Sequence, residues 1–328
     1  MNTFNYNQAL TVDDALASVY AHPDAKYLGG GTNLIDLMKM GVEHPTALVD
    51  VTRLPLTRIE EYWGGLRLGA MARNSAVAIH ALVRRRYPVL AQALLAGASP
   101  QIRNMATVAG NLLQRTRCYY FYDPSYRECN KRNPGSGCAA LTGNNRIHSV
   151  LGGSDHCIAT HPSDMAVALT ALGATVQVKD ANEERSIPIA DFYRMPGNTP
   201  HIETSLKAEE LITSVDLPAP PGGTAHYLKV RDRNSFAFAL VSVAAIVELD
   251  DRKRIRSARV ALGGVAPMPW RSLEAEQVLT GGEPTEATYR KAADILMQDA
   301  KPLRFNGFKV ELARRGIVRA LTTAAELN

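Results

Sequence analysis

All four cysteines of this chain, Cys118, Cys129, Cys138 and Cys157, fall within one 40-residue stretch of a 328-residue sequence. Four thiolates complete the coordination of either a zinc ion or an iron–sulfur cluster, so this stretch is expected to fold around a shared centre. The cysteines are separated by ten, eight and eighteen residues. That pattern lacks the CxxC pairs of a zinc ribbon and matches neither common ferredoxin spacing, so it points to a metal without naming it. Two disulfides are one competing arrangement, and they require an oxidising compartment. The opening MNTFNYNQALTVDDALASVY has neither the basic nor the apolar region of a secretory signal. Four unrelated buried thiols are the other; they belong in apolar runs, whereas CNKRNPGSGC is polar and reads as loop.

At this length one core does not suffice, and two or three domains are expected. Hydrophobic residues make up 46% and charged residues 21% of an ordinary globular composition. No apolar run approaches the roughly 20 residues of a membrane helix, so no membrane insertion is expected. The longest run, Phe236 to Leu249, reads as a buried strand. The net charge of +5 is dispersed apart from Arg84-Arg85-Arg86 and Arg252-Lys253-Arg254, and aromatics total 6%. Nucleic-acid binding needs a concentrated basic face, and none is expected here.

Local patterns give an α+β alternation. Asp13–Tyr20 and Asn33–Met40 read as helices, Lys26–Leu28 and Ala47–Val51 as strands. A second unit starts at Leu66, with helices over Ala76–Arg85 and Val89–Ala96; Asp164–Leu172 is a further helix. Pro218-Ala219-Pro220-Pro221-Gly222-Gly223 is the clearest linker, and beyond it strands over Ala225–Val230, Ala239–Leu249 and Ile255–Leu262 precede helices from Thr285 and Gly307.

Two segments suggest ligand binding. Leu28-Gly29-Gly30-Gly31-Thr32-Asn33-Leu34 runs from strand through glycine turn to helix start, where backbone N–H groups can face an anion. It is neither a dinucleotide fingerprint nor a Walker loop, and a bare turn is the alternative. Gln101 to Leu112, QIRNMATVAGNL, offers a hydroxyl, a glycine and an amide. Asp164 sits where a helix begins, as an N-cap or as an acceptor for ligand hydroxyls.

Together these pieces resemble the flavin-binding subunits of the xanthine oxidase family of molybdenum hydroxylases. GGGTNL resembles that family's first FAD-pyrophosphate loop and QIRNMATVAGN its second, with Ala109 in place of a usual glycine. Pro162-Ser163-Asp164, Glu210-Leu211-Ile212 and Lys229 match three further family positions, and the resemblance runs through Leu262-Gly263-Gly264 to the helix after Asn306. It implies a two-subdomain FAD-binding fold of the vanillyl-alcohol-oxidase type over residues 1–220 (subdomains about 1–55 and 56–220, insertion about 115–159). A smaller α+β domain of the carbon monoxide dehydrogenase flavoprotein type is implied over 222–328. The FAD-binding residues implied are Leu28, Gly29, Gly30, Gly31, Thr32, Asn33, Leu34, Arg103, Asn104, Thr107, Gly110, Asn111 and Asp164. Ile212 is expected on the isoalloxazine face and Lys229 near the ring.

Most such subunits lack the cysteine insertion. Its wording (QRTRCYYFYDP, ECNKRNPGSGCAAL, CIATHPSDMAVAL) is similar to bacterial molybdenum aldehyde oxidoreductases, which implies a [4Fe–4S] cluster on Cys118, Cys129, Cys138 and Cys157. His148, His156 and His161 are then expected to be ordinary surface or loop residues. The resemblance implies no substrate oxidation on this chain. A molybdopterin-binding large subunit would oxidise an aldehyde to a carboxylic acid, and a [2Fe–2S] small subunit would relay electrons to FAD and on to an external acceptor in a heterotrimer. The flavin subunit of a hydroxybenzoyl-CoA reductase, a flavin reductase acting without partners, and a zinc-stapled scaffold without flavin are the alternatives. Location is expected to be periplasmic through co-export with a signal-bearing partner, or cytoplasmic for this chain alone.

Overall fold

The computed structural model describes residues 2–327. The chain opens with a parallel three-stranded sheet of β1 (Asn5–Gln8), β2 (Ala25–Leu28) and β3 (Ala47–Asp50), in the order β1-β3-β2. Helices α1 (Val12–Tyr20) and α2 (Leu34–Lys39) make the crossovers. Thr11 caps α1 by accepting from the Asp14 amide, and Asp13 and Asp14 oppose the positive end of its dipole. Helix α2 buries Leu37 and Met38.

The second sheet is antiparallel: β4 (Ile59–Tyr62), β5 (Gly65–Gly69), β6 (Thr175–Lys179), β7 (Glu184–Pro188) and β8 (Leu211–Leu217), ordered β4-β5-β8-β6-β7. Between β5 and β6 lie α3 (Asn74–Ile79), α4 (Ala81–Arg86), α5 (Pro88–Ala96), α6 (Pro100–Met105), α7 (Val108–Leu112), α8 (Tyr119–Tyr122) and α9 (Asp164–Leu172); α10 (Ile189–Phe192) follows β7. The single helix expected over Ala76–Arg85 is broken at His80, whose ψ is 131°. At about 100° per residue, Val77 and Val83 would lie roughly 120° apart on one straight helix. The break lets both be fully buried.

The third sheet, β9 (Thr224–Val230), β10 (Val241–Leu249), β11 (Ile255–Gly263) and β12 (Trp270–Arg271), has the order β12-β11-β10-β9. Helices α11 (Leu273–Leu279), α12 (Glu286–Leu296) and α13 (Phe308–Glu326) accompany it. The strand expected from Phe236 starts only at Val241. Phe236, at φ 51° and 60% exposed, belongs with Ala237 and Phe238 to a strap ahead of it. In the linker, Gly223 has φ 81°, and a Cβ there would meet the Val247 carbonyl oxygen at 2.0 Å.

Helix α9 is the hinge of the packing. All nine of its residues are buried, and it joins the second sheet and α5 to Ala244, Ile246 and Ala261 of the third sheet in one core. A second core lies among α11–α13 and the strands they cover. A third gathers the cysteine segment around Leu37, Phe121 and Ile158. Among the described residues no helix is long and apolar enough to cross a membrane.

Candidate functional site

The two glycine-bearing segments dock on each other. A Cβ on Gly30 would lie 1.9 Å from the Met105 carbonyl oxygen and 2.6 Å from its carbonyl carbon, so only glycine permits this backbone contact. Gly31, at φ 72°, turns the chain from β2 into α2. On the other side Ser99 caps α6 and Thr107 caps α7, with the Gly110 amide donating to Thr107 Oγ1 at 3.2 Å. Asn33 does not cap α2 with its side chain. Its Oδ1 accepts from the Arg115 amide at 2.8 Å and its Nδ2 donates to the Tyr122 hydroxyl at 3.1 Å, which ties the first loop to the cysteine segment.

A cavity of about 170 Å³ opens beside these loops, lined by Thr32, Asn33, Arg103, Gly110, Asn111, Asp164 and Lys229 among the expected residues. A neighbouring cavity of about 360 Å³ shares Arg117, Pro162, Asp164 and the Phe236–Phe238 strap, so the two form one cleft. Asp164 is not the cap of α9. Ser163 takes that place by accepting from the Ala166 amide, which frees the Asp164 carboxylate for the cleft. That carboxylate accepts from Tyr227 Oη and Lys229 Nζ, each at 2.7 Å. Lys229 also donates to the Ala96 carbonyl at 3.1 Å, so a buried ion pair spans the first domain and β9. Burial, and then Asp164, holds the Tyr227 phenol well above its ordinary range.

The other expected residues lie elsewhere. Leu28, Gly29, Gly30, Gly31, Leu34 and Thr107 build the loops behind the cavity rather than its lining, and Asn104 is exposed beside it. Ile212 pairs with Val178 in the middle of the second sheet, is 2% exposed and packs in the main core, and it is not among the residues that line the cavity. Sequence reading missed Asn74, Gly97, Gln114, Arg117 and the strap. Only the strap carried a local signal, its unbroken apolar run, and that signal resembles a strand.

The cysteine segment closes around a small pocket lined by all four cysteines. Cys129 and Cys138 face each other across an antiparallel bridge, and Cys157 bridges to Ser154. All four are free thiols; three are buried and Cys138 is half-buried. Burial pushes the Cys118 thiol up to about 12 and Cys157 to about 11, so without a compensating cation they stay protonated. Among the described residues no three His, Cys, Asp or Glu side chains are arranged to hold a metal ion. The described residues therefore contain no preformed mononuclear metal site, and they do not establish the expected cluster.

His148, His156 and His161 all lie in loop, as expected, and two of them have specific contacts there. His148 is 1% exposed, with Nε2 3.0 Å from Cys118 Sγ. Its carbonyl accepts from Lys309 Nζ at 2.9 Å, which anchors the segment to α13. His161 packs against Tyr193 at a 4.4 Å ring separation. Burial lowers both imidazoles to about 4, so both are neutral at pH 7. His156 alone is exposed, as expected.

A charged network fastens the segment from outside. Glu203 pairs with Arg115 at 3.1 Å and with Lys131 at 2.5 Å, and Arg115 also pairs with Glu43. Burial by itself would raise the Glu203 carboxyl, but Arg115 and Lys131 outweigh it and hold it at about 2. Its stabilisation is thus complete above the unfolded value near 4.5 and is lost as pH falls toward 2. With a quarter of the side chain exposed, the contribution is at most about 3 kcal/mol. Glu203→Gln is expected to flatten the acid limb of a stability curve measured between pH 5 and 2 while still lowering stability at pH 7.

Comparison with known proteins adds the following. Residues 2–220 match the FAD binding domain in molybdopterin dehydrogenase, and residues 225–324 match the CO dehydrogenase flavoprotein C-terminal domain. The chain is 54% identical to the aldehyde oxidoreductase FAD-binding subunit PaoB of Escherichia coli K12, over 99% of each chain. It is 26% identical to the glyceraldehyde dehydrogenase medium chain of Sulfolobus acidocaldarius, over 98% of this chain and 96% of that one. Among solved structures it superposes on a chain of quinoline 2-oxidoreductase from Pseudomonas putida 86 with a TM-score of 0.77 at 23% identity, covering 99% and 98% of the two chains. A chain of carbon monoxide dehydrogenase from Hydrogenophaga pseudoflava gives 0.77 at 24%, covering 98% and 97%. These two likenesses concern the fold.

Proposed function

We propose that this chain, which belongs to the family of FAD-binding subunits of the molybdopterin dehydrogenases, is the FAD and [4Fe–4S] electron-transfer subunit of a molybdenum-containing aldehyde oxidoreductase. It stands in a heterotrimer between a molybdopterin-binding large subunit with a [2Fe–2S] small subunit and an external acceptor. The observation that carries the flavin part is the docking of Gly30 on Met105, which sets two glycine-bearing loops against one cleft. Bound FAD would supply the redox chemistry.

The chain's own residues bind and orient. Thr32 and Asn33, at the start of α2, line the cavity where a pyrophosphate would sit. Thr107 fixes the opposing loop through its cap. The buried Asp164–Lys229 pair presents fixed charge to the cavity wall. The aldehyde part rests on the 54% identity to an aldehyde oxidoreductase subunit.

The cluster part is supported by the convergence of four cysteines on one pocket. A tetrahedral zinc would need all four sulfurs about 2.3 Å from a single point. A cluster takes one sulfur at each corner instead. The deciding experiment is the visible spectrum of anaerobically purified protein with iron, zinc and acid-labile sulfide assays. Flavin bands with about four irons and four sulfides per chain are expected. FAD without iron or sulfide, after anaerobic reconstitution, would remove the cluster from the proposal; zinc without flavin would replace it with a scaffold role.

A further inference from the structure

Cys129 and Cys138 are directly opposite partners in an antiparallel bridge. Backbone hydrogen bonds lie on either side of them: Asn130 donates to the Gly137 carbonyl at 2.7 Å, and Ala139 donates to the Glu128 carbonyl at 2.9 Å. A pair flanked in this way is the closely spaced, non-hydrogen-bonded kind, with Cα atoms about 4.5 Å apart and both side chains on one face of the ladder. Disulfides span Cα separations of about 4.4–6.8 Å, so this backbone already has a spacing that a disulfide bridges. The connecting loop holds that register. The Cys129 amide donates to Ser136 Oγ at 3.0 Å, the Asn133 amide to the Cys129 carbonyl at 2.7 Å, and the Gly137 amide to Asn130 Oδ1 at 2.9 Å. The other two cysteines have different partners. Cys118 Sγ lies 3.0 Å from His148 Nε2, and Cys157 Sγ accepts from the Ala159 amide at 3.5 Å. Among the described residues neither stands opposite a cysteine in a bridge.

We propose that Cys129 and Cys138 form a reversible oxidation site, which a hydroperoxide closes into one disulfide and which, once closed, stops the segment from taking up a metal centre. Cys138 is half-buried while the other three cysteines are buried, so a small oxidant meets its sulfur first. The peroxide O–O bond breaks, one oxygen passes to Cys138 as a sulfenic acid, and the other leaves as water or an alcohol. Cys129 Sγ then attacks Cys138 Sγ: the S–S bond forms, the S–O bond breaks, and water leaves with the Cys129 proton. The thiol pair is oxidised and the peroxide is reduced. A dithiol reductant reverses the step by exchange. While the disulfide stands, two of the four sulfurs lining the pocket are withdrawn as thiolate ligands. The oxidation step is independent of what the cysteines hold; its consequence rests on the reading above that they hold a metal centre.

The test uses the full chain, freed of metal by a chelator under anaerobic conditions and treated with a stoichiometric amount of hydrogen peroxide. Half of the four thiols are expected to become inaccessible to alkylation and to return with dithiothreitol. Trypsin cuts between the pair at Lys131 and Arg132, so a non-reducing peptide map is expected to show the Cys129 and Cys138 peptides linked, with Cys118 and Cys157 alkylated. Cys129→Ser is expected to lose the linked species and to leave a sulfenic acid on Cys138 that dimedone captures. Iron uptake in anaerobic reconstitution without added thiol is expected to be lost in the oxidised protein and regained after reduction and removal of the dithiothreitol. A disulfide to Cys118 or Cys157 overturns the pairing, as does oxidation of Cys138 beyond the sulfenic acid with no disulfide. Equal iron uptake by the oxidised and reduced forms overturns the switch. Reduced protein that takes up neither iron nor zinc would sink the metal reading and with it the switch, whereas the peptide map decides the disulfide by itself.

Discussion

Gly30→Ala is expected to abolish FAD binding, lowering affinity by at least about a hundredfold, and to destabilise the protein by roughly 2–3 kcal/mol. The added Cβ would sit 1.9 Å from the Met105 oxygen and 3.1 Å from the Ala106 Cα. Both are backbone atoms, so no rotamer change relieves the overlap, and the two loops must part. Gly29→Ala is the internal control. Its Cβ would first meet Thr107 Oγ1 at 3.1 Å, a side-chain atom that can yield. Flavin fluorescence titration and denaturant unfolding of both variants should therefore separate sharply; equal effects would show that the loops are not held by this contact.

Asp164→Asn is expected to lower stability by about 3–5 kcal/mol and to empty the flavin site. The Lys229 ammonium would remain buried without its charge partner, and breaking a buried pair from one side is the damaging case. Replacing both partners, Asp164→Leu with Lys229→Met, should recover most of the stability, since Arg231 still donates to the Ala96 carbonyl that Lys229 served. The double variant is nevertheless expected to purify without flavin. Denaturant midpoints and the flavin-to-protein absorbance ratio check the two halves. A double variant that is as unstable as the single one would mean that the pair acts through Tyr227, whose hydroxyl also donates to Asp164.

The site was legible where its chemistry is written in local backbone demands. Gly30 and Gly31 stand out because a close approach and a positive φ each exclude a side chain. Ser163 and Asp164 stand out as a helix start, although which of them caps the helix was settled by a single hydrogen bond. Asn74 and Arg117 left no such trace. Each is an ordinary polar residue until α3 or the cysteine segment is placed against the cleft. Ile212 was legible as a strand residue, whereas its pairing with Val178 in the core came only from strand order. His148 read as a loop residue because nothing in sequence indicates that α13, through Lys309, presses that loop onto Cys118.

The sequence by itself determined the elements, the two glycine turns, the proline-rich linker and the gathering of four cysteines, because propensity, turn geometry and ligand chemistry act over a few residues. The tertiary structure alone decided that the two glycine-bearing loops dock on each other beside one cleft, that Asp164 meets Lys229 across the domain boundary, and that Phe236–Phe238 form a strap over the cleft rather than a strand. Those outcomes depend on strand order and on the burial of α9 between two sheets. Such contacts join residues far apart in the chain, and short-range pattern does not encode their partners.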